Sequence, residues 1–255
     1  MKIRIITGAV AALLFVILLI VGGIPLRIGM ILLSFLAMVE MKMAMGNTAR
    51  IDHIISAILL AIMYFIPMDV AFSLVILYFI INMALAMLQK TIPLQKFINN
   101  AFIFTYVSVP MYLLWRAISF NESNIGWVLI FLVAWGTDTA AYFLGSYFGT
   151  KQLAPYVSPK KSVEGAIGGI LGAIILALIY KLIFLETASL GGTLIFAFAG
   201  SIMAQLGDLS ASYIKRNFNV KDYGFILPGH GGIMDRFDSV IAVTVLYYLM
   251  FALIY

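Results

Sequence analysis

The sequence predicts an all-α, polytopic integral membrane protein, on three observations: its composition, the recurrence of its apolar runs and the placement of its Lys and Arg residues. Of its 255 residues, 64% are hydrophobic and only 11% are charged, and the mean hydropathy is +1.08. Soluble domains are about half apolar and about a quarter charged. This chain has too few polar side chains to cover itself in water, so lipid must be its main solvent.

A helix needs roughly 20 apolar residues to cross the hydrocarbon core. Runs of about that size fall near 5–21, 24–41, 53–67, 69–88, 98–119, 125–148, 165–185, 189–207 and 238–255, which predicts about nine transmembrane helices. The first run follows Lys2 and Arg4 as a secretion signal would, but no A-x-A-like cleavage site comes after it. It is therefore expected to be a retained helix.

Basic residues collect in cytoplasmic loops. With the N-terminus inside, Lys2, Arg4, Lys42, Arg50, Lys90, Lys96, Lys151, Lys160, Lys161, Lys215, Arg216, Lys221 and Arg236 fall inside, against Arg27, Arg116 and Lys181 outside. This bias predicts a cytoplasmic N-terminus and an odd number of spans. The net charge of +5 then belongs to loops lying against anionic headgroups. Nucleic acid is not expected as a partner, since there is no soluble basic domain to bind it. The absence of cysteine excludes disulfides and thiolate metal sites, and two histidines, His53 and His230, are too few for an ordinary zinc site.

Residues 1–97 are expected to be scaffold helices. Residues 98–255 are expected to form the catalytic region, with polar cytoplasmic loops at 149–164 and 207–238. Asp138 lies inside the sixth apolar run. A carboxylate there costs about 2.5–3.5 kcal/mol to insert, so it should face the bundle interior or a watery cavity. A helix-to-helix hydrogen bond is the plainer explanation for it. Asp208, Ser212 and Lys215 are spaced i, i+4, i+7 and share one helical face. Lys215 and Arg216 by themselves would read as boundary charges snorkelling to headgroups. Between Lys221 and Gly232, the density of Gly and Pro ends any helix and lets backbone N–H groups approach an anion. Asp235 and Asp238 follow at i, i+3. One Asp there would pass as a helix cap. Four carboxylates, Asp138, Asp208, Asp235 and Asp238, point instead to a hard cation, Mg²⁺, with room for a second cation. The pairs Gly165/Gly169 and Gly168/Gly172 predict close helix packing.

The stretch from Ser212 to Asp238, with Lys215-Arg216, Lys221-Asp222, Gly224, Pro228-Gly229-His230-Gly231-Gly232 and Asp235-Arg236-Phe237-Asp238, resembles the signature of the phosphatidate cytidylyltransferases. So do Asp138-Thr139-Ala140-Ala141-Tyr142-Phe143 and Ser158-Pro159-Lys160-Lys161-Ser162 with Glu164-Gly165. The likeness is specific over about residues 134–238. The resemblance implies transfer of CMP from CTP to phosphatidate, giving CDP-diacylglycerol and pyrophosphate, with Mg²⁺, at the cytoplasmic leaflet of the cell (inner) membrane. It implies catalytic roles for Asp208, Asp235, Lys215 and Arg216, and metal ligation by Asp208, Asp235, Asp238 and Asp138. It implies substrate contacts from Lys160, Lys161, Ser212, Lys221, His230, Gly231, Gly232 and Arg236. The implied partners are CTP, phosphatidate and membrane lipids, and a homodimer is compatible with them. The alternative is a cation-coupled transporter using the buried carboxylates, which would leave the Lys- and Gly-rich loops without a task.

Overall fold

The computed structural model describes residues 2–46, 50–88, 94–119 and 125–254. The apolar runs are helical: α1 (Lys2–Val21), α2 (Gly23–Ala44), α3 (Arg50–Met63), α4 (Met68–Leu88), α5 (Leu94–Ile103), α6 (Val109–Ser119), α7 (Val128–Phe148), α8 (Val163–Phe184), α9 (Leu190–Asn217) and α10 (Met234–Ile254). Among the described residues, six helical stretches are long and apolar enough to cross a membrane: 23–44, 68–88, 94–119, 125–148, 163–184 and 190–217. The protein is an all-α, polytopic membrane protein. Lys90, one of the basic loop residues, lies outside the described residues.

Three boundaries differ from the apolar runs, each for a local reason. The third run continues to Pro67, but α3 stops at Met63. The residue before a proline is pushed out of the helical region, and Pro67 instead offers its carbonyl to Ala71 N at 2.8 Å to start α4. Helices α5 and α6 join through a π turn at Phe104–Ser108. It falls beside Pro110, which has no N–H to donate one turn back. Helix α9 runs ten residues past its apolar stretch and ends at Asn217, with Asn219 at φ 55 just beyond. The segment between α7 and α8 forms a small antiparallel hairpin, β1 (Gln152–Ala154) and β2 (Ser158–Ser162). Its two prolines and its charges had concealed it in the sequence.

The chain divides into two compact units. The first comprises residues 1–115 and 220–235, the second residues 116–219 and 236–255. Within the first, Lys42 on α2 is wholly buried and donates to Asp52 Oδ2 at 2.7 Å, Ser56 Oγ at 2.8 Å and Tyr78 OH at 3.2 Å. Tyr78 OH in turn donates to Asp52 Oδ1 at 2.7 Å, and its ring stacks on Phe104 at 4.1 Å. One ammonium thereby pins α2, α3 and α4 together, with all three of its donors engaged.

Breaking such a pair from one side leaves an uncompensated buried charge, which costs about 3–5 kcal/mol. Lys42→Met should lower the thermal midpoint of the detergent-solubilised protein sharply. Lys42→Met combined with Asp52→Leu should recover part of that loss.

Candidate active site

In the second unit, α7 and α8 pack at the closest range their backbones allow. A Cβ on Gly165 would fall 2.8 Å from the Ala141 carbonyl oxygen, one on Gly169 3.0 Å from that of Thr137, and one on Gly172 2.4 Å from Ala140 Cβ. The small-residue face of α8 therefore lies directly on the face of α7 next to Asp138. Ser162 caps α8 by accepting from Gly165 N at 3.1 Å. Glu164 reaches back to accept from Thr150 N at 3.0 Å and Lys151 N at 3.3 Å. Cap and clamp together hold the hairpin over the start of α8.

That hairpin carries Lys160, which is exposed, and Lys161, whose ammonium pairs with Asp208 of α9. Both partners of this pair are about a quarter exposed (27% and 25%), so water reaches them. One turn along α9, Ser212 Oγ donates to Asp208 Oδ1 at 3.4 Å. Asp138 accepts from Ser239 Oγ at 3.0 Å, and Asp238 from Ser239 N at 2.8 Å. Asp138 lies within electrostatic reach of Asp208, Lys161 and Arg236, and Asp238 within reach of Asp208, Lys215 and Asp138. Three carboxylates thus share one neighbourhood with Lys161, the buried Lys215 and the exposed Arg236.

Asp138, Asp208, Lys160 and Lys161 face a cavity of about 540 Å³, closed by Tyr142, Ser162 and Gln205. Gln205 is held in the wall by a 3.2 Å bond from its amide to the Ala166 carbonyl. Its lining mixes these cations and carboxylates with the apolar Ala141, Leu153 and Ala166. Such a space suits a phosphate group with an apolar attachment.

The carboxylates fit Mg²⁺ by chemistry, being hard oxygen donors beside lysines that could hold phosphate. Among the described residues, no three Asp, Glu or His side chains converge into a finished coordination sphere. A finished sphere is not required, since Mg²⁺ usually keeps several waters and binds one or two carboxylates plus substrate phosphates.

The Gly-rich loop belongs to the first unit, apart from the cavity residues. It folds on itself through Leu227 N to Gly231 O at 3.0 Å and His230 N to Leu227 O at 2.8 Å, with Gly229 and Gly231 at φ 78 and 81. Asp235 Oδ2 accepts from Tyr223 N at 2.8 Å and Gly232 N at 3.0 Å. That oxygen therefore fastens loop backbone lying before α10, and both of these donors belong to the loop, not to the helix. Lys221 is exposed and His230 half-buried. His230 lies against α1, where a Cβ on Gly8 would come within 2.9 Å of its ring.

Of the candidate residues, the structure brings together Asp138, Lys161, Asp208, Ser212, Lys215, Arg236 and Asp238 in the second unit. Lys160 joins them at the cavity, and Arg216 sits nearby on α9, its Nε donating to Val157 O at 3.4 Å. Lys221, His230, Gly231, Gly232 and Asp235 are in the first unit. Glu40, which no motif singles out, lies buried near the end of α2. A lone Glu ending an apolar run was the signal available.

Gly165→Val should push α8 off α7 and carry the hairpin lysines away from Asp208. Turnover should fall by about 100-fold, the order expected for a shift of roughly 1 Å in positioning groups, while the protein still inserts. Steady-state kinetics beside a membrane-fraction assay would check both.

A family model described as "Cytidylyltransferase family" matches residues 2–254. Among similar proteins, the phosphatidate cytidylyltransferase of Bacillus subtilis (strain 168) is 34% identical, over 99% of this chain and 98% of that protein. That of Staphylococcus saprophyticus is 36% identical over 95% and 96%, and that of Staphylococcus aureus (strain COL) 35% identical over the same shares. With the match running over residues 2–254 and the curated relatives covering nearly all of the chain, this protein belongs to the cytidylyltransferase family and is a nucleotidyltransferase.

Proposed function

We propose that this chain joins phosphatidate to the cytidylyl group of CTP at the cytoplasmic face of the cell (inner) membrane, releasing pyrophosphate. The observation that carries this reading is the cavity lined by Lys160, Lys161, Asp138 and Asp208 together with the apolar Ala141, Leu153 and Ala166. A phosphate oxygen of the lipid attacks the α-phosphorus of CTP. The new P–O bond forms as the bond to the bridging oxygen of the β-phosphate breaks, and the electron pair leaves with pyrophosphate. The attacking phosphate is already ionised, so no strong general base is needed.

Both reactants are anionic, and the chief obstacle is their repulsion. Lys160, Lys161, Lys215, Arg216, Lys221 and Arg236 are the groups proposed to offset it, by bonds that strengthen as charge builds on the leaving group. Ser212 and the loop segment of His230, Gly231 and Gly232 are proposed to contact phosphates. Asp138, Asp208 and Asp238 would hold Mg²⁺, and Asp235 stays in the proposed ligand set on its carboxylate chemistry alone. When bound, the ion supplies charge neutralisation at the nucleotide phosphates. The pair between Lys161 and Asp208 keeps a cation and an anion in place until substrate takes up the one and Mg²⁺ the other. A second cation, and a homodimer, remain part of the proposal. The transporter alternative has no support from the relatives.

Release of pyrophosphate from CTP by purified protein, dependent on phosphatidate, tests the reading. Asp208→Asn and Asp235→Asn should each abolish it at any Mg²⁺ concentration in well-folded protein. Near-normal turnover in either would remove that residue from the metal site.

Lys221→Gln and Arg216→Gln should each lower kcat/KM by about 1.5–3 kcal/mol, roughly 10- to 150-fold, as lost charged hydrogen bonds. Wild-type kinetics in both would make them solvated boundary charges.

The orientation is open to direct test because the chain has no cysteine. Single cysteines at Ser158 and Asn217 should react only from the cytoplasm. One at Ser123, a position outside the described residues, should react only from the other side. Labelling of Ser123→Cys and Ser158→Cys from one side would overturn the topology.

A further inference from the structure

Glu40 sits four residues before the end of α2 with 4% of its surface exposed. An ionisable group so buried should be matched by partners, and its partners come from the loop 194 residues away. Oε2 accepts from Met234 N at 3.0 Å. The backbones of Gly224 and Gly232 close over the carboxylate so tightly that a Cβ on either would fall 2.4 Å and 2.3 Å from its oxygens. These two glycines are required by space: both lie against Glu40, and neither has a positive φ. Among the described residues, Oε1 has no hydrogen-bond partner.

The loop thus has two carboxylates fastening its backbone. Asp235 ties it from within, through Tyr223 N and Gly232 N. Glu40 ties it from α2, a helix remote from the loop in sequence. That helix is itself locked two residues further on, where Lys42 is pinned by Asp52, Ser56 and Tyr78. The buried ion pair sets the rotation of α2, α2 sets Glu40, and Glu40 sets the loop.

We propose that Glu40 is a positioning residue for the transfer reaction: it touches no substrate, and its carboxylate is the post on which residues 224–234 are wrapped so that Lys221, His230 and Asp235 stand ready. Its task is to accept a backbone hydrogen bond in a tight space. What that task requires is an acceptor oxygen at the place of Oε2. Gln has the same shape and an acceptor oxygen for Met234 N. Ala has neither, and Asp is one methylene too short to reach. The proposal rests on the nucleotidyltransfer reading, but the position of the loop can be measured without any turnover.

The experiment compares Glu40→Ala, Glu40→Asp and Glu40→Gln in the full-length, detergent-solubilised protein. It uses hydrogen exchange of peptides from 221–235 and steady-state release of pyrophosphate. In Glu40→Ala and Glu40→Asp, exchange over 221–235 should rise by about tenfold or more while α7, α8 and α9 keep wild-type protection, and kcat should fall by about 10- to 100-fold. Glu40→Gln should restore loop protection and most of the lost turnover. Three outcomes would overturn the proposal: loop exchange unchanged in Glu40→Ala, loop exchange raised with kcat intact, or Glu40→Gln as inactive as Glu40→Ala, which would mean that the charge is what matters. Failure of the unmodified protein to release pyrophosphate would count against the nucleotidyltransfer reading and leave the exchange result to decide on the loop.

Discussion

Lipid cannot solvate a charge, so an ionised side chain set into these helices must find its counterpart in protein or in a pool of water. This one constraint organises the polar interior of the chain. Lys42 is matched by Asp52, Lys161 by Asp208, Asp238 by the N–H of Ser239, and Glu40 by the N–H of Met234. Two of these matches join segments far apart in sequence, Lys161 to Asp208 across 47 residues and Glu40 to Met234 across 194, and such polar contacts help to specify which segment lies where. Apolar packing alone would discriminate weakly, because lipid tails are as apolar as the side chains they compete with.

The second requirement is proximity. Charges on different helices can share a cavity only if the backbones carrying them come close, and Gly165, Gly168, Gly169 and Gly172 allow this along α7 and α8. Gly207 does the same on α9, where a Cβ would lie 2.6 Å from the Asp238 carbonyl. It immediately precedes Asp208, so a small residue and a charged one occur together: the glycine lets α10 approach, and the aspartate uses the approach. Catalysis of phosphate transfer by positioned charge depends on such placement more than on any single reactive group.

The helices were legible in the sequence because lipid leaves a coarse, long-wavelength mark on composition, and α2, α4, α7 and α8 fall on their apolar runs with ends shifted by a few residues. Asp138, Asp208, Ser212, Lys215 and Asp238 were legible too, since a charge in an apolar run has to be explained and helical spacing says which ones share a face. The hairpin was not, because a two-stranded ribbon held by Glu164 and Ser162 depends on contacts made only once α8 is in place. The join of Lys161 to Asp208, 47 residues apart, is a tertiary fact with no periodicity to reveal it. Glu40 was hidden for a different reason: its importance lies in the space between Gly224 and Gly232, and a sequence does not display the shape of a loop.

The two Lys–Asp pairs show how one chemical motif serves opposite ends. Lys42 and Asp52 are 0% and 6% exposed, and the ammonium gives its three donors to Asp52, Ser56 and Tyr78. No donor remains to meet a ligand, and no water can replace a partner that leaves, so this pair is fixed. Lys161 and Asp208 stand at the wall of a water-accessible cavity, with Asp138 and Asp238 close enough to repel Asp208. Those three carboxylates share their neighbourhood with Lys161, Lys215 and Arg236, and water can reach Lys161 and Asp208 when either changes partner. The first pair gains its stability from having nothing left to exchange. The second can exchange its partners with water at lower cost, and that difference follows from burial, not from the residue types.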